Sequence, residues 1–304
     1  MYDIIIIGAG PAGLSASVYA ARKQLKTLLI SVDIGGQINN TLVIENYLGY
    51  QFIEGPEMID KFNTQIDKYP IEQKIGSKVT QIKIISGGFQ IIADDRNRYK
   101  SKVVIVATGK KPKKLDVPGE TKFTGKGVTY CAICDGPIFS KKRVAVVGGG
   151  NSALEAVLDL KRIAEHIDMI SLTQFTGDQV LITKLKGAKN LDIYLEHRVQ
   201  RIEGTVFVNS VTIEDIKSKK TRKLDVSGIF VEIGMVPNSE PLKKLIKLND
   251  YGEVPINCTC ETELAGLFAA GDVTNVPEKQ IVVAAGDGAK AALQAHRFLQ
   301  RIAK

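Results

Sequence analysis

The feature that most constrains the fold is a strand, glycine turn and helix start that occurs twice, 140 positions apart. It first reads Ile4-Ile5-Ile6-Ile7-Gly8-Ala9-Gly10-Pro11-Ala12-Gly13-Leu14-Ser15-Ala16. It returns as Val144-Ala145-Val146-Val147-Gly148-Gly149-Gly150-Asn151-Ser152-Ala153-Leu154-Glu155-Ala156. The register holds without a gap into the next strand, where Leu28-Leu29-Ile30-Ser31 matches Asp168-Met169-Ile170-Ser171. Two βαβ units of equal spacing predict an α/β chain with two dinucleotide-binding, Rossmann-like, three-layer domains.

Each glycine has a mechanical task. Gly8 and Gly148 permit the tight turn. Gly10 and Gly150 let backbone N–H groups approach a pyrophosphate at the positive end of the following helix. Ala12 lies in the first turn of one helix, and Asn151 and Ser152 in the first turn of the other. Gly13 and Ala153 are small where helix and strand pack closely. One such turn can be purely structural; two, each after a four-residue apolar strand, predict two nucleotide sites.

The rest of the chain fits around these units. Val79-Thr80-Gln81-Ile82, Phe89-Gln90-Ile91-Ile92 and Val103-Val104-Ile105-Val106 read as strands, the last running into Ala107-Thr108-Gly109. Its counterpart is Gly228-Ile229-Phe230-Val231-Glu232-Ile233-Gly234. A further strand, Gly266 to Ala270, meets Gly271-Asp272, and a small-residue helix is expected from about Val282 to Leu299. The second nucleotide unit, residues 114–240, reads as an insertion into a first domain made of residues 1–113 and 241–304.

Composition narrows the classes. With 304 residues, 44% apolar and 24% charged, the chain has room for two buried cores. No apolar run approaches the roughly 18 residues a membrane span needs. Met1-Tyr2-Asp3 is no signal-peptide n-region, so a cytoplasmic protein is expected. The 41 basic and 33 acidic residues give a charge of +8. Trp is absent and the basic residues are scattered, in clusters such as Lys110-Lys111-Pro112-Lys113-Lys114, so nucleic acid is not an expected partner. Four cysteines in so long a chain make no disulfide scaffold.

Cys131-Ala132-Ile133-Cys134-Asp135-Gly136 carries the chemistry. A C-x-x-C pair closes a small ring, so its disulfide can form and open with little chain movement. The adjacent Asp135 can supply or accept the proton that cleavage requires. The alternative is zinc held by Cys131, Cys134, Cys258 and Cys260. The C-x-C spacing of the second pair is poor for that metal, and it lies in another expected domain, so no metal is expected. Cys258 and Cys260 read as packed or idle thiols, with a redox role left open.

These motifs, with Gly35-Gly36-Gln37, Glu45-Asn46 and Lys279-Gln280-Ile281, resemble those of the low-molecular-weight thioredoxin reductase family of FAD-dependent disulfide reductases. The chain is also similar to the C-terminal part of the alkyl hydroperoxide reductase flavoprotein. The resemblance covers essentially all 304 residues. It implies that Gly8, Gly10 and Gly13 hold the FAD pyrophosphate, with Asp33 near the adenosine ribose and Val79 near the adenine. Gly36, Gln37 and Asn46 fall near the ribityl and flavin. Thr108 and Gly109 border the cofactor; Gly271 and Asp272 reach the ribityl-pyrophosphate region, and Gln280 and Ile281 flank the ring. It further implies that Cys134 faces the flavin, Cys131 attacks the partner's disulfide and Asp135 is the acid. The inserted domain is expected to rotate between two arrangements, and the chain to act as a homodimer.

The electron donor departs from the family pattern. NAD sites usually carry an acid at the end of the second strand, and NADP sites an Arg nearby. Here that position is Ser171, and no Arg or Lys lies between Glu165 and Thr183. The expectation is weak use of NADH, or an alternative donor such as ferredoxin, an acidic protein suited to the +8 charge and to lysines 110–114. NADPH at tight affinity is not expected. The expected acceptor is a thioredoxin- or glutaredoxin-like protein. Reduction of a peroxiredoxin system is the second reading and would need a separate carrier. A flavin-binding module with an unreactive cysteine pair is the third.

Overall fold

The computed structural model describes residues 1–41 and 43–303. Lys304, the end of the expected 241–304 segment, lies outside the described residues. Two sheets organise the chain. The first runs in the order Glu72–Ile75, Thr27–Ile34, Tyr2–Ala9, Arg98–Val106, Gly88–Ala93, Val79–Ile85. Its strand Arg98–Val106 divides its outer edge: Phe89 pairs Ser101 antiparallel, and Leu267–Ala269 pairs Val104 to Val106 in parallel. The second sheet is all parallel, in the order Val128–Thr129, Gly228–Val231, Arg143–Val147, His166–Ile170, Leu191–Tyr194. Beside it lies an antiparallel sheet of His197–Gly204, Val208–Asp215 and Thr221–Asp225.

The repeat read in the sequence survives as pairing register. Ile4 pairs with Thr27 in the first sheet, and Val144 pairs with Ile167 in the second, each pair displaced by the same 140 positions. Both central strands are buried on two faces, which is why they read as unbroken apolar runs rather than as an alternation. Ile4 and Ile6 pack with helix Pro11–Arg22 and the C-terminal helix, while Ile5 and Ile7 pack on the opposite face with Val104, Leu242 and Val254. The C-terminal helix spans Ile281–Ile302, longer than expected. Its small residues let it approach helix Pro11–Arg22 closely: a Cβ on Gly288 would sit 1.9 Å from the Ala12 carbonyl oxygen.

The chain passes between the two sheets along a two-stranded ribbon, in which Lys110–Pro112 pairs antiparallel with Met235–Pro237. Residues before and after this ribbon build the first sheet, and residues within it build the second.

Candidate active site

The two glycine turns are built alike and filled differently. A Cβ on Gly8 would lie 2.3 Å from the Ala107 carbonyl oxygen, and one on Gly13 would lie 1.7 Å from the Gly8 oxygen. Gly8 also has a φ of +106°, in the left-handed region that disfavours a side chain. Protein therefore occupies both positions. A Cβ on Gly10 would meet nothing within 4 Å. Gly10 precedes helix Pro11–Arg22, whose first turn has no side-chain cap, so its free N–H groups can face an anion.

Gly10 opens into a cleft of about 530 Å³. Gly8, Ala12, Asp33, Gly36, Gln37, Asn46 and Val79 line it, as do Thr108, Gly109, Asp272, Gln280 and Ile281. Gly13 and Gly271 do not; they pack beneath it, Gly271 with its would-be Cβ 3.0 Å from that of Ala12. Residues far apart in sequence are joined across the cleft. Gln37 Nε2 donates to Asp272 Oδ2 at 2.9 Å, and Asn46 Nδ2 donates to Gln280 Oε1 at 3.2 Å. Burial raises the Asp272 pKa, opposed by the charges of Lys279 and Lys110.

Cys131, Cys134 and Asp135 line the same cleft. The two cysteines form a disulfide with a Cα separation of 5.3 Å. Cys131 caps the short helix Ala132–Asp135, and the Cys134 N–H points at its sulfur at 3.2 Å. Asp135 is buried. Its Oδ2 accepts the Thr129 hydroxyl, and its buried Oδ1 has no partner. Burial raises its pKa, with the Thr129 bond opposing. Burial thus biases the carboxyl next to Cys134 toward its protonated form, which suits an acid for a leaving thiolate. The Thr129 hydroxyl also accepts the Cys131 N–H at 3.3 Å, so one side chain orients both the acid and the cysteine.

Gly148, Gly150, Asn151, Ser152 and Ala153 stand apart from this cleft, at the second turn. A Cβ on Gly148 would lie 2.3 Å from the Glu232 carbonyl oxygen. Asn151 is held by Asp178, giving Nδ2 to its Oδ2 at 3.0 Å and taking its N–H at 2.7 Å. Ser171, at the end of the second strand, is 2% exposed, and a Cβ on Gly149 would meet its Oγ at 2.3 Å.

The basic cluster at 110–114 is corrected in one respect. Lys110 does not face solvent: its Nζ lies 2.6 Å from Glu253 Oε1, the two side chains being 11% and 12% exposed. Lys279 approaches the same carboxylate at 3.4 Å. Cys258 is exposed and free; Cys260 is buried, its thiol pushed up to about 11 by desolvation. Sequence reading passed over Thr129, Asn238, Glu253 and Glu232. Only Glu232 carried a signal, as a lone carboxylate in the apolar run Gly228 to Gly234.

The cleft fits an FAD: an open glycine turn at a helix N-terminus, a long groove past Asp33 and Val79, and polar side chains converging on Asp272.

Comparison with known proteins agrees with this geometry. A family model described as pyridine nucleotide-disulphide oxidoreductase matches residues 2–288. The chain is 41% identical over 305 residues to the F component of alkyl hydroperoxide reductase from Escherichia coli K12, covering 99% of this chain and 58% of that protein. It thus spans about three-fifths of the curated relatives it matches. The crystal structure of thioredoxin reductase from Streptococcus pyogenes superposes with a TM-score of 0.95 at 35% identity, covering 99% of both chains. Thioredoxin reductase from Lactococcus lactis, described as the FR conformation, is 33% identical over 99% of this chain and 100% of that one. It superposes with a TM-score of only 0.68.

Proposed function

The chain belongs to the pyridine nucleotide-disulphide oxidoreductase family and is a flavoprotein disulfide oxidoreductase of the thioredoxin reductase type. From that premise we propose that it passes electrons through Cys131 and Cys134 to the disulfide of a thioredoxin- or glutaredoxin-like protein. The observation that carries this reading is the placement of the disulfide and the buried Asp135, biased by burial toward its protonated form, in the cleft that begins at the open glycine turn.

Gly8 and Gly10 with the first turn of helix Pro11–Arg22 would hold the FAD pyrophosphate. Gln37, Asn46, Asp272 and Gln280 would hold its ribityl and ring. Bound there, FAD supplies two-electron reducing power to the pair. The reduced pair then acts in two balanced steps. The Cys131 thiolate attacks one sulfur of the acceptor disulfide, forming a mixed disulfide and releasing an acceptor thiolate that takes a proton from Asp135. The Cys134 thiolate next attacks the Cys131 sulfur, which restores the Cys131–Cys134 bond and releases the acceptor's second thiolate.

In the present arrangement the pair sits inside the cleft, so an acceptor needs it moved outward. The antiparallel ribbon of Lys110–Pro112 and Met235–Pro237 is the natural hinge. Two relatives of nearly equal identity that superpose at 0.95 and 0.68 support more than one arrangement in this family. On this reading residues 1–113 and 241–304 form the FAD domain and 114–240 the moving domain.

The donor reading follows from the second turn. With Ser171 buried, Asp178 tied to Asn151 and no Arg or Lys between Glu165 and Thr183, that segment offers a 2′-phosphate no Arg or Lys. We assign the chain weak NADH use or a protein donor such as ferredoxin. The 41% identity to a peroxide reductase component supports a second reading, reduction of a peroxiredoxin system.

An anaerobic screen of NADH, NADPH and reduced ferredoxin, scored as free thiol on thioredoxin, tests the proposal. Turnover is expected to vanish in the Cys131→Ser, Cys134→Ser double variant. Thioredoxin reduction that survives it would overturn the reading.

A further inference from the structure

Glu232 touches both halves of the inserted unit. It follows strand Gly228–Val231, the neighbour of the strand that feeds the second glycine turn. Its main chain belongs to that turn: its N–H donates to the Val147 carbonyl at 2.8 Å, and its own carbonyl closes against Gly148. Its side chain belongs to the redox turn. Oε1 accepts the N–H of Ala132 at 3.2 Å, across 100 residues of sequence. Ala132 is the first residue of the helix that Cys131 caps.

We propose that Glu232 is a positioning residue that tunes the redox equilibrium of the Cys131–Cys134 pair, holding the turn by the Ala132 amide and disfavouring the thiolate state by its charge. Amides at the start of this helix are the groups that would stabilise a Cys131 thiolate, as the Cys134 N–H already does for the sulfur. A carboxylate that claims the Ala132 N–H withdraws one of them and adds a negative charge beside the turn. In its neutral form the side chain still holds the turn but no longer repels a thiolate.

The charged and titratable groups on neighbouring segments do not all act in one direction. Glu155, on helix Asn151–Leu160, acts on it as a second negative charge. Asp135, on the redox helix, is itself biased toward the neutral form by burial. Lys113 approaches Gly234, with Nζ 3.8 Å from a Cβ built there. Burial, with Glu155 adding and the Ala132 bond opposing, pushes Glu232 up to about 7. Its charge therefore changes over the neutral range.

The inference rests on the reading that the pair exchanges with dithiols. When glutathione reduces it, two glutathione thiols become one disulfide. Their two electrons break the Cys131–Cys134 bond and their two protons pass to the sulfurs. Ionisation of one sulfur to solvent then gives the thiolate.

The test equilibrates the flavin-loaded full chain anaerobically in glutathione redox buffers at pH 6.0 and 8.5 and counts protein thiols. Glu232→Gln keeps an acceptor for Ala132 and removes the charge. Its pair is expected to shift toward the dithiol by about three- to tenfold at pH 8.5 and by less than about twofold at pH 6.0. Glu232→Asp, which keeps the charge, is expected to stay within about twofold of the parent at pH 8.5. A Gln variant that matches the parent at both pH values, or shifts equally at both, overturns the assignment. A parent pair that never opens in any buffer overturns the disulfide-exchange reading first, and this inference with it.

Discussion

Thr108 and Asn238, 130 residues apart, grip each other twice: the Thr108 hydroxyl donates to the Asn238 carbonyl at 2.8 Å, and the Asn238 side-chain amide donates to the Thr108 carbonyl at 2.9 Å. A main-chain bond from Asn238 N–H to the Gly109 carbonyl adds a third tie. They fasten the chain where it leaves the first sheet to the point where it returns. Asn238→Ala removes the side-chain amide's bond and leaves the other two, both made by the Asn238 main chain. The expected cost is about 0.5–1.5 kcal/mol of stability, with a larger effect on rotation. The check is thermal unfolding beside stopped-flow measurement of thiol transfer; a rate unchanged despite the stability loss would remove this contact from the hinge.

Lys110 and Glu253 form a second tie, from the ribbon to the first domain. Burial alone would raise the Glu253 pKa, but Lys110, Asn249 and Lys279 prevail and hold it below the usual range. Its stabilisation is therefore present above the ordinary carboxylate pKa and lost as the pH falls through the lowered value. Lys110→Ala leaves Glu253 with Lys279 and the Asn249 side-chain amide. A double-mutant cycle with Glu253→Ala should give a coupling of about 1–3 kcal/mol at pH 7 that fades toward pH 3. Urea unfolding measures it.

The three glycines of the first turn should separate fold from cofactor. Gly13→Ala forces a Cβ against the Gly8 carbonyl and should cost at least about 1–3 kcal/mol, read as a lowered unfolding midpoint of the apoprotein. Gly10→Ala meets no protein atom within 4 Å, so the apoprotein should unfold as before. It should nevertheless retain FAD poorly, because the new methyl enters the space for the phosphate. Absorbance at the flavin band after gel filtration distinguishes the two.

Asp135 should show a trade between stability and turnover. Its raised folded pKa means that its favourable contribution is present below the ordinary Asp pKa and lost as pH rises through the raised value. Asp135→Asn should therefore be no less stable than the parent at pH 8, while thiol release slows by about a hundredfold. Equal slowing of flavin reduction and thiol release would place its role elsewhere.

Leu172 follows buried Ser171 and is 62% exposed, just past the second-strand end near which NADP sites carry an Arg. Leu172→Arg should improve NADPH affinity by roughly ten- to a hundredfold, the yield of one charge-assisted bond. NADH affinity should barely change. The ratio of KM values reads it out.

Much of the architecture was legible because it is written in local order. The glycine turns, the apolar four-residue strands and the Cys131–Cys134 spacing are properties of neighbouring residues, and the 140-residue offset reappears as strand register. Lys110 shows where such reading stops. In sequence it reads as one of the lysines 110–114 suited to an acidic protein, yet Glu253, 143 positions on, takes it out of solvent.

The sequence alone determined that two nucleotide folds would form and that a C-x-x-C pair would lie within the second unit, because backbone sterics and side-chain periodicity act over a few residues. Tertiary structure alone decided which groups meet across the chain: Gln37 with Asp272 over 235 positions, and Glu232 with Ala132 over 100. Such pairs depend on how sheets and ribbon pack in space, and no local pattern encodes that distance.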